Sequence, residues 1–239
     1  MKKLSIVIPV YNEEKYIEAT IGKVLKANSM GLTKEVVVVD DGSTDKTPQI
    51  LKEVKKKVGR RRVSLKIFRK KNEGKGSALK KGFKETTGDI VIVQDADFEY
   101  DPCDYQLMLR PFLENNADVV YGSRLVTASP HRVLYYWHYV INKMITMMSN
   151  MLTNLNLTDM ETGYKAFKGE LIRGIAPKLV SKRFGFEPEI TARVAKVKGI
   201  KIFEVGISYS GRTYEEGKKI GWKDGVRAIW EIIKFNLLS

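Results

Sequence analysis

Short apolar runs, each broken off by a cluster of polar residues, set the terms on which this chain can fold. Leu4 to Val10, Val36-Val37-Val38-Val39 and Ile90 to Val93 are almost wholly aliphatic. They lead into Tyr11-Asn12-Glu13, Asp40-Asp41-Gly42-Ser43 and Asp95-Ala96-Asp97. A strand without polar alternation is buried on both faces, the pattern of a parallel sheet sandwiched between helices. The intervening segments have helical spacing. Glu13 to Ala27 carries Tyr16, Ile17, Thr20, Ile21, Val24 and Leu25 on one face. A second helix starts behind Thr44 or Asp45 and reaches about Val58, and a third covers Gly76 to Thr86. Val63 to Phe68 and Asp118 to Tyr121 supply further strands. The fold class is therefore α/β, with a mostly parallel central sheet and helices on both faces. In such sheets ligands bind beyond the carboxyl ends of the strands, so the three polar clusters converge on one edge.

Composition narrows the setting. Hydrophobic residues make up 43% and charged residues 29% of the 239, a globular balance that excludes a disordered chain. The single cysteine, Cys103, excludes an intrachain disulfide. The apolar start ends at Pro9-Val10 without a small-residue cleavage site, so it reads as a buried strand and not as a signal peptide. No stretch approaches the ~20 apolar residues that cross a bilayer, and the expectation is a soluble protein or one peripheral to a membrane. The net charge of +14 has three readings. One is a lysine-rich solvated surface like that of heat-adapted proteins, which suits Lys55-Lys56-Lys57 and Arg60-Arg61-Arg62. The second is attraction to anionic lipid, and the least favoured is nucleic acid.

Asp95-Ala96-Asp97 places two carboxylates at a strand end, a hard oxygen site suited to Mg²⁺ or Mn²⁺, with Glu99 two residues on. In isolation the triplet also reads as a polar turn. Asp40-Asp41 can serve as a turn and helix cap, or accept hydrogen bonds from a nucleoside. Asn72-Glu73-Gly74-Lys75-Gly76-Ser77 precedes a helix but fails the G-x-x-x-x-G-K-[ST] pattern, which argues against a Walker-type ATPase and leaves a tight turn near the nucleotide.

In order along the chain, these segments resemble glycosyltransferase family 2. The resemblance rests on Ile6 to Glu14, Val38 to Asp45, Asn72 to Gly76 and Asp95-Ala96-Asp97. It continues through Tyr121 to Arg124, Asp159-Met160-Glu161-Thr162-Gly163-Tyr164-Lys165 and Arg212 to Lys218. The set is similar to the branch containing dolichyl-phosphate mannose and glucose synthases. It implies a GT-A fold over residues 1–239, with 1–125 as the nucleotide-sugar-binding half and 126–239 as the acceptor side. By the same resemblance Pro9, Tyr11, Glu13, Val39 and Asp41 hold the nucleoside, and Asp95 and Ala96 lie nearer the nucleotide sugar. Asp97 and Glu99 hold Mg²⁺ or Mn²⁺, Glu99 standing where the mannose synthases often carry glutamine. Arg124, Arg212 and Lys218 are the basic residues of the diphosphate or the acceptor phosphate; Asp159 and Glu161 shape the acceptor site, or Asp159 orients the sugar.

The implied partners are a nucleotide-sugar donor of the GDP-mannose or UDP-glucose type and a dolichyl or polyprenyl phosphate acceptor. The implied location is peripheral, at the cytosolic face of an anionic membrane, with a membrane-anchoring subunit or homo-oligomer as further partners and no nucleic acid. A phosphate acceptor is already anionic, its second pKa being about 6, so it needs no strong base. Three rivals stay open: transfer to a saccharide or protein hydroxyl, a nucleotidyltransferase, and a non-catalytic subunit or nucleotide-sugar binding module, against which the intact acidic and basic positions argue. The Q-x-x-R-W segment typical of the family's polysaccharide synthases is missing. The segment Leu134 to Leu152, rich in aromatics and methionine, is an amphipathic helix, either core or dimer contact or an interfacial guide for a lipid acceptor. His131 and His138 have no partners at metal spacing.

Overall fold

A computed structural model describes residues 1–58, 63–126, 132–133, 135–183, 185–211 and 222–238. The first 93 residues alternate strand and helix as their pattern requires: β1 (Lys3–Val10), α1 (Ile17–Lys26), β2 (Thr33–Asp40), α2 (Thr47–Val58), β3 (Ser64–Arg69), α3 (Lys75–Glu85) and β4 (Ile90–Val93). Then follow α4 (Tyr105–Glu114), β5 (Val119–Ser123), α5 (Tyr136–Thr153), β6 (Lys165–Lys168), α6 (Gly169–Ile175), α7 (Phe186–Ala195), β7 (Ile202–Gly206) and α8 (Trp222–Leu237). The seven strands form one sheet in the order β3-β2-β1-β4-β6-β5-β7. All pairings are parallel except those of β6, which lies antiparallel between β4 and β5.

The continuous apolar runs bury both faces of the sheet. Leu4, Ile6, Ile8, Val36 and Val38 pack with Ile21 and Val24 of α1 and Met108 and Phe112 of α4. Val7, Val37, Val39, Val91 and Val93 face the other way, onto Ala78, Leu79 and Phe83 of α3 and Phe186 and Ile190 of α7. At about 25 cal/mol per Å², such burial dominates the stability of the sheet. The strand reversal at β6 is not written in apolar periodicity, since a four-residue strand fits either direction.

Two expectations need adjustment. The first helix begins at Ile17, because Glu13 to Tyr16 forms a turn in which the Tyr16 and Ile17 N–H groups both donate to the Glu13 carbonyl at 3.0 Å. The methionine-rich helix is not core along its length. Only Ile145, Thr146 and Ser149 of α5 are buried, while Trp137 is 70% and Met151 76% exposed. Among the described residues no helix is long and apolar enough to cross a membrane.

Candidate functional site

The β1 and β2 ends interlock before any ligand is considered. Asn12 takes a positive φ of 53°, and its N–H donates to Ser43 Oγ at 3.0 Å. The Glu13 N–H donates to Thr47 Oγ1 at 3.0 Å, and the Asp41 N–H to the Val10 carbonyl at 2.9 Å. Asp40 accepts from the Ser43 N–H at 2.8 Å and pairs with Arg69 at 3.3 Å. Asp45 caps α2 by accepting from the Thr47 N–H at 2.9 Å.

Asp41 is buried and occupied by the protein itself. It pairs with Lys70 at 2.8 Å and accepts the Gly74 N–H at 2.6 Å, with the Glu73 N–H at 3.2 Å. Its carboxylate thus fastens the loop before α3, where Gly74 has φ 102° and a Cβ would stand 2.5 Å from the Lys182 carbonyl. Val39 and Ala96 point into the two cores, so a nucleoside at those positions meets main chain only. Tyr11 is 39% exposed just beyond the end of β1, whereas Pro9 and Glu13 are buried.

At the end of β4 the three acidic residues diverge. Asp95 pairs with Lys75 at 3.0 Å, and Lys75 also reaches Glu187 of α7 at 3.2 Å. Burial alone would discharge Lys75, but Asp95 and Glu187 outweigh it and raise its pKa well above the usual lysine value. Asp97 accepts the Glu99 N–H at 3.2 Å, and Glu99 accepts the Tyr209 hydroxyl at 3.1 Å. Asp97 and Glu99 are partly exposed hard oxygen donors in one turn, a set that fits Mg²⁺ or Mn²⁺. Among the described residues no three acidic, His or Cys side chains gather into a cage. A cation held by Asp97 and Glu99 would draw its remaining ligands from phosphate oxygens or water, as Mg²⁺ does in nucleotide sites.

The end of β5 carries the second charged group. Arg124 grips Asp159 with Nε and Nη2, both at 2.7 Å, and its N–H adds a third bond at 3.1 Å. Asn142 of α5 donates to the same carboxylate at 3.0 Å. Asp159 is fully buried; burial pushes its pKa up, but Arg124 outweighs this and holds it below the usual aspartate value. The Arg124 guanidinium also lies 5.2 Å from the centre of the Tyr209 ring.

The 159–164 loop joins the two groups. Its Gly163 N–H donates to Tyr100 Oη at 2.9 Å, and a Cβ on Gly163 would stand 2.5 Å from Asp95 Oδ2. A side chain at position 163 would therefore have to push the Asp95 carboxylate out of its place beside Lys75. The structure therefore brings Asp95, Asp97, Glu99, Arg124 and Asp159 to one edge of the sheet, while Arg212 and Lys218 lie outside the described residues. So does His131.

Lys75, Glu187 and Tyr209 were not singled out by their residue type or spacing. Lys75 lies in the glycine-flanked segment Gly74-Lys75-Gly76, which was the available signal. Glu187 and Tyr209 are distant in sequence, and only the fold brings them to the cleft.

Comparison with known proteins follows the same lines. The model of the family described as Glycosyl transferase family 2 matches residues 5–175. A dolichol-phosphate mannosyltransferase of Pyrococcus furiosus is 29% identical over 236 residues, covering 98% of this chain and 64% of that enzyme. This chain thus spans under two thirds of that enzyme's length. An uncharacterized protein of Methanocaldococcus jannaschii is 31% identical, covering 98% of this chain and 99% of its own. The glucosyl-3-phosphoglycerate synthase of Mycobacterium tuberculosis, solved with Mn²⁺, uridine diphosphate and phosphoglyceric acid, superposes with a TM-score of 0.71 at 19% identity. The match covers 100% of this chain and 80% of that one, a likeness of fold.

Proposed function

Since the chain belongs to glycosyltransferase family 2, we propose that it moves a hexose, with inversion, from a nucleoside diphosphate sugar to a polyprenyl or dolichyl phosphate at a membrane surface. A glycosyltransferase of the GT-A fold needs a grip on the diphosphate, a nucleophile in line with the anomeric carbon, and shelter from water. The nucleoside belongs over the stapled β1 and β2 ends beside Tyr11, with Asp41 fixing the 70–74 loop as one wall. Asp97 and Glu99 are the residues to hold a divalent cation, which when bound neutralises charge growing on the departing diphosphate. The Mycobacterium tuberculosis synthase of the same fold, solved with Mn²⁺ or Mg²⁺ and uridine diphosphate, supports that reading.

One observation carries the acceptor: Asn142 of α5 bonds directly to Asp159, the partner of Arg124. The helix that exposes Trp137, Met144, Met147 and Met151 is thereby tied to the ion pair at the cleft. α5 contains no acidic residue, and beside it α8 exposes Ile229 and Trp230. A shallow, open depression of about 350 Å³ beside α5 is lined by Met147, Met151, Leu155 and Leu157 and by the polar Lys143, Thr146, Asn150 and Thr158. Aromatic and thioether side chains on a cationic protein suit an anionic bilayer surface, and the apolar part of the depression suits an isoprenoid. A phosphate acceptor also suits Asp159, whose lowered pKa makes it a weak base. Its work is to hold the Arg124 guanidinium by its Nε–Nη2 edge, so that a phosphate would be met by the Nη1 edge.

Incubation with radiolabelled GDP-mannose, UDP-glucose or UDP-N-acetylglucosamine, polyprenyl phosphate and Mg²⁺ or Mn²⁺, followed by solvent extraction, tests the proposal. Label from one donor should move to the lipid phase. Label recovered only in saccharide or protein would overturn the acceptor, and release of pyrophosphate from a nucleoside triphosphate would favour a nucleotidyltransferase.

A further inference from the structure

Every other buried charge around the 159–164 loop is engaged. Asp159 has Arg124 and Asn142, Glu187 has Lys75, and Lys165 donates to the Met160 and Thr162 carbonyls. Glu161 is the exception. Its Oε1 is buried, and among the described residues it is the one buried carboxylate oxygen with neither a hydrogen bond nor an ion pair. Burial, and after it the nearby Glu187 carboxylate, pushes the Glu161 pKa up from the usual glutamate value. A buried polar atom without a partner is unfavourable, and a hydroxyl of a bound ligand is a group that would satisfy it.

Position says which ligand. Glu161 stands between Asp159, locked to the end of β5, and Gly163, pressed on Asp95 at the end of β4. The donor grips the β4 side and the acceptor phosphate approaches the Arg124 side, so the loop between them faces the group in transit. That group is a hexose ring, edged with hydroxyls that both donate and accept. Its carboxyl lies among the charges of Glu187, Lys165, Arg124 and Asp159, the groups that flank both halves of the site, and the residue is partly exposed although its Oε1 is not.

We propose that Glu161 is a specificity-determining residue that hydrogen-bonds a hydroxyl of the transferred hexose. The inference rests on the glycosyltransferase reading above but not on the identity of the acceptor. A carboxyl in this role bonds the hydroxyl without taking its proton permanently, and an amide of the same shape can do the same. Glu161→Gln should therefore preserve it, and Glu161→Ala should abolish it.

Calorimetry with Mn²⁺ tests this without turnover. Affinities of GDP, GDP-mannose, UDP, UDP-glucose and UDP-N-acetylglucosamine are measured for the wild type and both variants, with melting curves to confirm folding. The gain in affinity from the sugar, comparing each nucleotide sugar with its diphosphate, should fall about tenfold in Glu161→Ala, the worth of one good hydrogen bond. It should be retained in Glu161→Gln, and the affinity for the bare diphosphate should not change in either. Against a donor deoxygenated at the contacted position, wild type and Glu161→Ala should converge. An unchanged sugar increment in Glu161→Ala overturns the inference and leaves the enzyme reading standing. If Glu161→Gln binds donor like wild type yet is as inactive as Glu161→Ala, Glu161 is a general base and the inference falls. If the wild type binds none of the three donors, the glycosyltransferase reading and the inference fall together.

Discussion

The two sides of the sheet are built by different rules. From β1 to β4, each parallel strand is apolar on both faces and ends in a polar loop that binds its neighbours: Asn12 with Ser43, Asp41 with Gly74, Asp45 with Thr47. From β5 onward, the antiparallel β6 interrupts the sheet, α5 lays an apolar row outward, and buried charges are paired across long sequence separations. The donor side is stiffened by backbone bonds to carboxylates and hydroxyls in addition to its own ion pairs, Asp41 with Lys70 and Asp95 with Lys75. The acceptor side is held by ion pairs whose removal strands a charge. A mutation should therefore cost activity on the first side where it touches the cation, and stability on the second where it breaks a pair.

The largest effect belongs to Asp97→Ala. Its carboxylate is partly exposed at a strand end, so the fold should keep its melting temperature. Loss of the cation grip should lower turnover by about 10³-fold or more, roughly 4 kcal/mol of transition-state stabilisation. Near wild-type turnover at saturating Mn²⁺, in a steady-state transfer assay, would break the contrast at its donor end.

Asp159→Ala should do the opposite. It leaves Arg124, whose side chain is 20% exposed, without its carboxylate, and the cost in urea unfolding should be about 3 kcal/mol. Stability equal to wild type would show that the acceptor side does not depend on the pair.

Glu35 sharpens the comparison, because it is a buried ion pair at the donor side's far end, away from the cleft. Burial pushes its carboxyl up, but hydrogen bonds from Lys66, Ser5 and Thr87 outweigh it and hold the pKa at about 2 against a usual 4.5. A depressed folded-state pKa stabilises the protein above the unfolded value, and the benefit is lost as pH falls from about 4.5 toward 2. Roughly 2 kcal/mol should be gone by about pH 3 relative to pH 7. Glu35→Gln should be less stable at neutral pH and lose this part of the acid dependence, as unfolding curves at the two pH values would reveal.

The smallest effect is expected at α5. A Trp137→Glu, Met147→Glu double variant removes two exposed apolar anchors and adds two negative charges. Flotation with vesicles containing anionic lipid should fall about tenfold, with no change in melting temperature. Unchanged flotation would remove the membrane from the account.

The same contrast explains what could be read in the sequence. Strands β1 to β4 and helices α1 to α3 are legible because aliphatic runs and 3.6-residue spacing act locally, with Asp45 as a visible cap. The convergence of Asp95, Asp97 and Glu99 on the edge follows from strand-end logic. The direction of β6 does not, since four residues packed on both sides carry no directional signal. Nor do Lys75–Glu187 or Tyr209–Glu99, contacts made across more than a hundred residues by folding alone. Asp41 illustrates the limit within a legible motif: its position is readable, but its capture by Lys70 and the Gly74 N–H is not.

The central claim is that the nucleophile is a phosphate needing no base, so the most direct measurement compares two lipids differing only there. Purified protein with Mn²⁺ and its preferred nucleotide sugar is offered polyprenyl phosphate or the corresponding polyprenol, and the products are weighed by mass spectrometry. The account predicts a hexosyl phosphate lipid from the first and no product from the second. Glycosylation of the alcohol at a comparable rate would contradict it.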